Sequence, residues 1–172
     1  MGRTEEGRLQ LRRMAISITT LFDELLAELS VYHPGIRHRV ECHLPDILVD
    51  IDPEYIKLVI ANIMDNALKY SPPKSTITAT GKVEGQQVIV HIHNNGKGIP
   101  QDELPKIFEM YETTGTAPYS LRRGVGLGLY MARLLIEAHG GKIWAESQPG
   151  EGVTISFSIP LWHPLHDEAI TS

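Results

Sequence analysis

Ala61-Asn-Ile-Met-Asp-Asn-Ala-Leu-Lys-Tyr-Ser-Pro-Pro73 is the segment from which the remainder of the sequence can be placed. It continues an apolar series, Ile56, Val59, Ile60, Ile63 and Ala67, whose steps of three and four predict one buried helix face. Asn62, Asn66 and Lys69 recur at i, i+4 and i+7 and share a second stripe on the face left over. Asparagine is a poor helix-interior residue because its amide competes with the backbone for hydrogen bonds. Two of them aligned in an otherwise strong helix point to a user outside it. An amide oxygen is a hard, neutral ligand suited to Mg²⁺, and a lysine one turn on suits a phosphate. The plain alternative is a pair of solvated asparagines. The limits of the helix are written locally: Asp52 as N-cap, Pro53 at the first helical position, Glu54 in the first turn, and Pro72-Pro73 as the stop.

Composition sets the frame. A chain of 172 residues is the size of one domain, and no apolar run approaches the roughly 20 residues that span a bilayer. The opening Met1-Gly-Arg-Thr-Glu-Glu is polar and charged, unlike a secretory leader. A single cysteine, Cys42, excludes an internal disulfide framework and fits a reducing compartment. The net charge of −5 comes without a basic block, so nucleic acid is not an expected partner. These features predict a cytoplasmic α/β domain.

Outward from the central helix, residues 1–13 are charged and read as the end of an upstream helix or a linker. A strand is expected at 14–17, then a helix carrying Ile18, Leu21, Phe22, Leu25, Leu26 and Leu29. Short strands are expected at 38–44 and 47–51, with Val40, Cys42 and Leu44 alternating and Cys42 an inert core thiol. Strands at 76–83 and 87–93 are joined by a turn at Glu84-Gly85. A short helix covers 102–110, and 111–123 lack any period and read as a mobile loop that orders on binding a ligand. A helix over 127–139 ends at Gly140-Gly141, and strands at 142–147 and 153–159 flank the turn Pro149-Gly-Glu-Gly152. The tail 162–172 reads as disordered.

Two glycine segments add chemistry. Asn94-Asn-Gly-Lys-Gly-Ile-Pro100 follows a strand; alone it is an Asn-Gly turn, but two glycines let the backbone approach a flat ligand, with Ile99 packing on its face. Gly124-Val-Gly-Leu-Gly-Leu129 feeds a helix N-terminus, where exposed N–H groups cradle phosphate. Its GxGxG spacing is not a dinucleotide fingerprint, and neither a GxxxxGK[ST] loop nor protein-kinase signatures occur. His91 and His93 share one strand face and read as structural or solvent-facing rather than as metal ligands, and Trp144 as sheet packing.

The order Asn62-x-x-x-Asn66-Ala-x-Lys-Tyr, Asn-Gly-x-Gly-Ile, Ile107-Phe-Glu109 and Gly-x-Gly-Leu-Gly-Leu resembles the N, G1, F and G2 boxes of the ATP-binding catalytic domain of sensor histidine kinases, in the GHKL superfamily. Gly150-x-Gly152, Thr154 and a strand ending at Pro160 resemble its closing segment, so the likeness covers roughly residues 14–161. The resemblance implies a two-layer α/β sandwich, a mixed sheet of about five strands on three helices, holding ATP and Mg²⁺. It implies Asn66 as the Mg²⁺ ligand, and Asn62, Lys69 and Tyr70 along the phosphates. Asn94, Gly96, Gly98, Ile99, Leu127 and Thr154 would line the nucleotide pocket. Gly124, Gly126 and Gly128 would turn the lid, with Arg122 and Arg123 as its cations at the γ-phosphate. In hydrolysing relatives such as gyrase, the position of Asn62 resembles that of a glutamate base. An amide cannot take that proton, so the likeness implies a transferase.

Two departures stand out. No histidine has the context of the family's acceptor box, which implies that the acceptor lies on a dimerisation hairpin outside this chain, with a response regulator downstream. The resemblance is compatible with a membrane-anchored parent. The G1 box begins with Asn94 where the family has the aspartate that receives the adenine amino group. The amide oxygen still allows adenine, but a flipped amide would also accept guanine, so weakened base selectivity is expected. The alternative is a nucleotide-weak docking module of the same fold. A serine kinase of the anti-sigma type is disfavoured, since those resemble the ATPases in carrying glutamate at the position of Asn62.

Overall fold

The computed structural model describes residues 9–109 and 128–164. Strand β1 (Met14–Ser17) leads into helix α1 (Ile18–Leu29), capped by the Ser17 hydroxyl, which accepts from Thr20 N–H. A single helical turn α2 (Ile36–Arg39) precedes β2 (Val40–His43) and β3 (Leu48–Ile51). The central helix α3 is Pro53–Tyr70. Strands β4 (Ile77–Glu84) and β5 (Gln87–Asn94) form a hairpin, and a 3-10 turn follows at Leu104–Phe108. Helix α4 (Leu129–Ala138), β6 (Ile143–Gln148) and β7 (Gly152–Pro160) complete the described chain.

Five strands form one mixed sheet in the order β2-β4-β5-β7-β6, in which only the β2–β4 pair is parallel. β1 and β3 form a separate antiparallel pair. The helices cover one face of the large sheet. Alternation along β5 shows which: Val88, Val90, Ile92 and Asn94 are buried beneath them, and on β7 their partners Ile159, Phe157, Ile155 and Val153 are buried too. The predicted two-layer sandwich of five strands and three main helices is the observed one.

The ends of α3 are held as its sequence requires. Asp52 Oδ1 accepts from the N–H groups of Glu54 (3.1 Å) and Tyr55 (3.3 Å), while Oδ2 accepts from Arg12 N–H (2.9 Å). Asp52→Ala removes all three hydrogen bonds, and thermal unfolding is expected to show a loss of roughly 1–2 kcal/mol. An unchanged Tm would mean that the cap is dispensable. At the other end the Arg39 guanidinium donates to Ser71 Oγ, Pro72 O and Ser75 O, clamping the Pro-Pro exit.

Four local readings need correction. Residues 38 and 39 belong to α2, not to a strand: Gly35 takes a left-handed φ of 87°, and Ile36 is buried against α1. Cys42 is exposed, because β2 is a short edge strand in which only Val40 is buried. Its thiol pKa is raised, by desolvation first and by Asp23 second. The short helix expected at 102–110 is a five-residue 3-10 turn with Pro105 in its first turn. Trp162 is no free tail: its backbone N–H donates to Leu48 O at 3.0 Å after Leu161 bridges to Val49.

Candidate functional site

The first asparagine of the α3 stripe is covered rather than open. Asn62 is 2% exposed, since the start of α4 lies over it, and its Nδ2 donates to Gly128 O at 3.0 Å. Its Oδ1 is buried and has no hydrogen-bond partner among the described residues, and the same holds for Asn66 Oδ1. A buried acceptor without a partner costs about 1–3 kcal/mol, so such atoms are rare. Two of them one helical turn apart mark a place that a cation or a donor completes. Among the described residues no group of three His, Cys, Asp or Glu could hold a metal. A metal here would therefore take amide oxygen from the protein and its other ligands from a bound phosphate, the habit of Mg²⁺. One turn on, Lys69 is exposed and its Nζ stands 5.3 Å from the Tyr70 ring centroid.

The far end of the stripe meets the first glycine segment. A Cβ on Gly96 would stand 2.5 Å from Tyr70 O, and its φ is 148°, so the loop sits on the exit of α3 because this residue has no side chain. Asn62 and Tyr70 are thus two anchor points about 12 Å apart at 1.5 Å per residue. Gly98 packs against Ser147, and Ile99 is buried with its N–H donating to Ser147 Oγ at 2.8 Å. Ser147 in turn donates to Gly152 O at 2.9 Å. Gly152 is pressed so closely on Asn94 that a Cβ would fall on the Asn94 carbonyl. Asn94 is 2% exposed, and its Nδ2 donates to Asn95 O at 3.1 Å. Ser147 escapes sequence reasoning: nothing local separates it from other strand serines, and its role needs two loops brought together.

Asn62, Asn66, Asn94, Gly96, Gly98, Ile99 and Gly128 thus lie on the helix-covered side of the sheet. Thr154 does not join them. It faces the opposite side, where its Oγ1 lies 2.8 Å from His93 Nδ1, and the β7 residue beside Asn94 is Val153. A strand alternates faces, and the reading of Thr154 as a pocket residue is one residue out of phase. His91 Nδ1 likewise pairs with Ser156 Oγ at 2.6 Å, a structural role. Arg122, Arg123, Gly124, Gly126, Leu127 and the loop 111–123 lie outside the described residues.

Residues 51–163 match the family model described as Histidine kinase-, DNA gyrase B-, and HSP90-like ATPase. This chain belongs to that family. Among curated relatives of this ATPase domain, Sensor protein KdpD of Clostridium acetobutylicum is 35% identical over 162 residues, 93% of this chain and 18% of the relative. Sensor histidine kinase WalK of Bacillus subtilis is 37% identical over 125 residues, 72% of this chain and 20% of the relative. The chain spans about a fifth of the length of these two. The catalytic domain of histidine kinase ThkA superposes with a TM-score of 0.71 at 28% identity, covering 88% of this chain and 97% of that one. ThkA solved in complex with response regulator protein TrrA gives 0.67 at 26% identity, covering 87% and 42%. The fold is that of the histidine-kinase catalytic domain, and the chain is a histidine-kinase ATPase domain of the sensor-kinase kind. Among its described residues no helix is long and apolar enough to cross a membrane.

Proposed function

We propose that this domain binds Mg-ATP and transfers the γ-phosphoryl group to a histidine on a dimerisation hairpin of its parent kinase, with a response regulator downstream. The observation that carries this is the pair of buried amide oxygens on Asn62 and Asn66, which have no hydrogen-bond partner among the described residues. Asn66 Oδ1 is the Mg²⁺ ligand, and bound Mg²⁺ supplies charge neutralisation at the phosphates. Asn62, tied to Gly128, holds the start of α4 against α3 along the phosphate side. Its amide cannot act as a general base for water, which favours transfer over hydrolysis. Lys69 and Tyr70 extend the phosphate side, and Arg122 and Arg123 are the lid cations. Asn94, Gly96, Gly98 and Ile99 form the base pocket.

The test is labelling with γ-labelled ATP. This chain alone is expected to take no acid-labile label, because none of its histidines is the acceptor. Addition of the hairpin of the parent protein is expected to produce label on the hairpin. Acid-labile phosphate on this chain alone would overturn the acceptor assignment. The second reading, a docking module with weak nucleotide binding, draws on one observation: Asn94 offers no carboxylate to the adenine amino group. Absence of any Mg-ATP heat in calorimetry would favour it.

A further inference from the structure

The sheet face away from the helices carries a hydrogen-bonded chain that ends at the base pocket. His93 sits between Thr78 and Thr154 in register. Its Nδ1 lies 2.8 Å from Thr154 Oγ1, and its Nε2 lies 3.3 Å from Asn95 Oδ1. An amide oxygen only accepts, so Nε2–H donates to Asn95 Oδ1, and in that tautomer Nδ1 accepts from the threonine hydroxyl. Asn95 is thereby held from the outer face. Its backbone carbonyl, on the inner side, accepts from Asn94 Nδ2 at 3.1 Å.

That last bond decides how Asn94 is turned. Only the NH₂ end of an amide can bond to a carbonyl, and a flipped Asn94 would set its own oxygen against Asn95 O. One of the two Nδ2–H donors is therefore engaged, and that bond fixes which way the amide is turned and so where Oδ1 is held. A fixed acceptor receives the amino group of adenine and repels the carbonyl of guanine. The expected loss of base selectivity assumed a free amide, and this amide is not free.

We propose that Asn94 is locked with its oxygen toward the nucleobase, and that His93 and Thr154 on the opposite sheet face are positioning residues for that lock. The domain then keeps adenine selectivity without a carboxylate. The inference rests on the nucleotide-binding reading proposed above and adds its base specificity.

The experiment is a set of calorimetric titrations with Mg-ATP and Mg-GTP on the full chain, Thr154→Val, Thr154→Ser and Asn94→Asp. Valine keeps the shape and strand preference of threonine but has no hydroxyl, whereas serine keeps the hydroxyl. The chain is expected to bind ATP about tenfold or more tightly than GTP, the effect of facing two acceptors in a buried site. Thr154→Val should narrow that ratio by about two- to fivefold, a coupling of the size seen within one hydrogen-bonded network. Thr154→Ser should restore it. The ratio is the diagnostic quantity, because a general loosening would weaken both nucleotides alike. Equal affinity for ATP and GTP in the unaltered chain, or a ratio that Thr154→Val leaves unchanged, overturns the inference. Asn94→Asp separates that failure from a deeper one: if neither it nor the unaltered chain binds ATP, the nucleotide-site reading falls and takes the inference with it.

Discussion

Asn66→Ala is expected to lower Mg-ATP affinity by about a hundredfold and to remove its dependence on Mg²⁺, while leaving the free domain as stable as before or slightly more so. The two effects have one cause. In the free domain Asn66 Oδ1 is a buried acceptor with no partner among the described residues, so losing it removes a penalty of about 1–3 kcal/mol. In the complex proposed above, that oxygen would be the protein's contribution to the metal. A hundredfold loss corresponds to about 2.7 kcal/mol, within the range for one charge-assisted contact. Titrations with and without Mg²⁺, run beside a thermal melt, read both signs at once. Asn66→Asp restores a hard oxygen and should recover most of the affinity. A variant that binds Mg-ATP as tightly as the parent chain would remove Asn66 from the metal site. A variant that merely unfolds would contradict the expected gain in the free state.

Acidification should weaken the fold through His139, the second large effect. This residue is 1% exposed at the end of α4. Its Nδ1–H donates to Leu135 O at 2.7 Å, and its Nε2 accepts from Asp52 N–H at 3.1 Å, at the cap of α3. The ring therefore pins the end of one site helix to the start of the other. Protonation would place a second N–H against the backbone N–H of Asp52. Burial lowers the His139 pKa below its usual 6.5; the Leu135 carbonyl opposes this, Arg13 adds to it, and Asp52 and Asp50 oppose it. A folded-state pKa below the unfolded one means that the unfolded chain binds the proton first. The contribution is fully present above about pH 6.5 and is lost as the pH falls toward the folded pKa, by up to about 1.4 kcal/mol per pH unit. His139→Leu leaves Asp52 N–H and Leu135 C=O without this partner. It should cost roughly 1–3 kcal/mol at pH 7.5 and flatten the decline between pH 7 and 5. Chemical denaturation of both proteins across that range measures the difference. Parallel pH profiles would show that another group titrates.

Much of the fold is local and therefore legible. The steps of three and four from Ile56 to Ala67 define one face, and all five residues are buried to 2% exposure or less. Asp52 and Pro53 open α3 and Pro72-Pro73 close it, because caps and prolines act on their own backbone. Alternation along 87–94 gave the strand, and the ordered asparagine and glycine segments pointed to the family. Each of these signals involves neighbours in sequence, where spacing alone decides which side chains share a face.

The tertiary structure decided what spacing leaves open: which face is covered, by what, and where it ends. Asn62 looked exposed on its helix and is buried, because a carbonyl 66 residues away closes over it. Thr154 and Asn94 are both polar residues of paired strands, yet the register of β5 with β7 puts them on opposite sides of the sheet. Cys42 alternates with apolar neighbours, but alternation cannot say that its strand is the uncovered edge. The orientation of Asn94 depends on Asn95, His93 and Thr154 in two paired strands, and the pairing of Ser147 with Ile99 and Gly152 joins two loops. A sequence lists the donors and acceptors; which of them meet is set by strand register and by the layer that packs above.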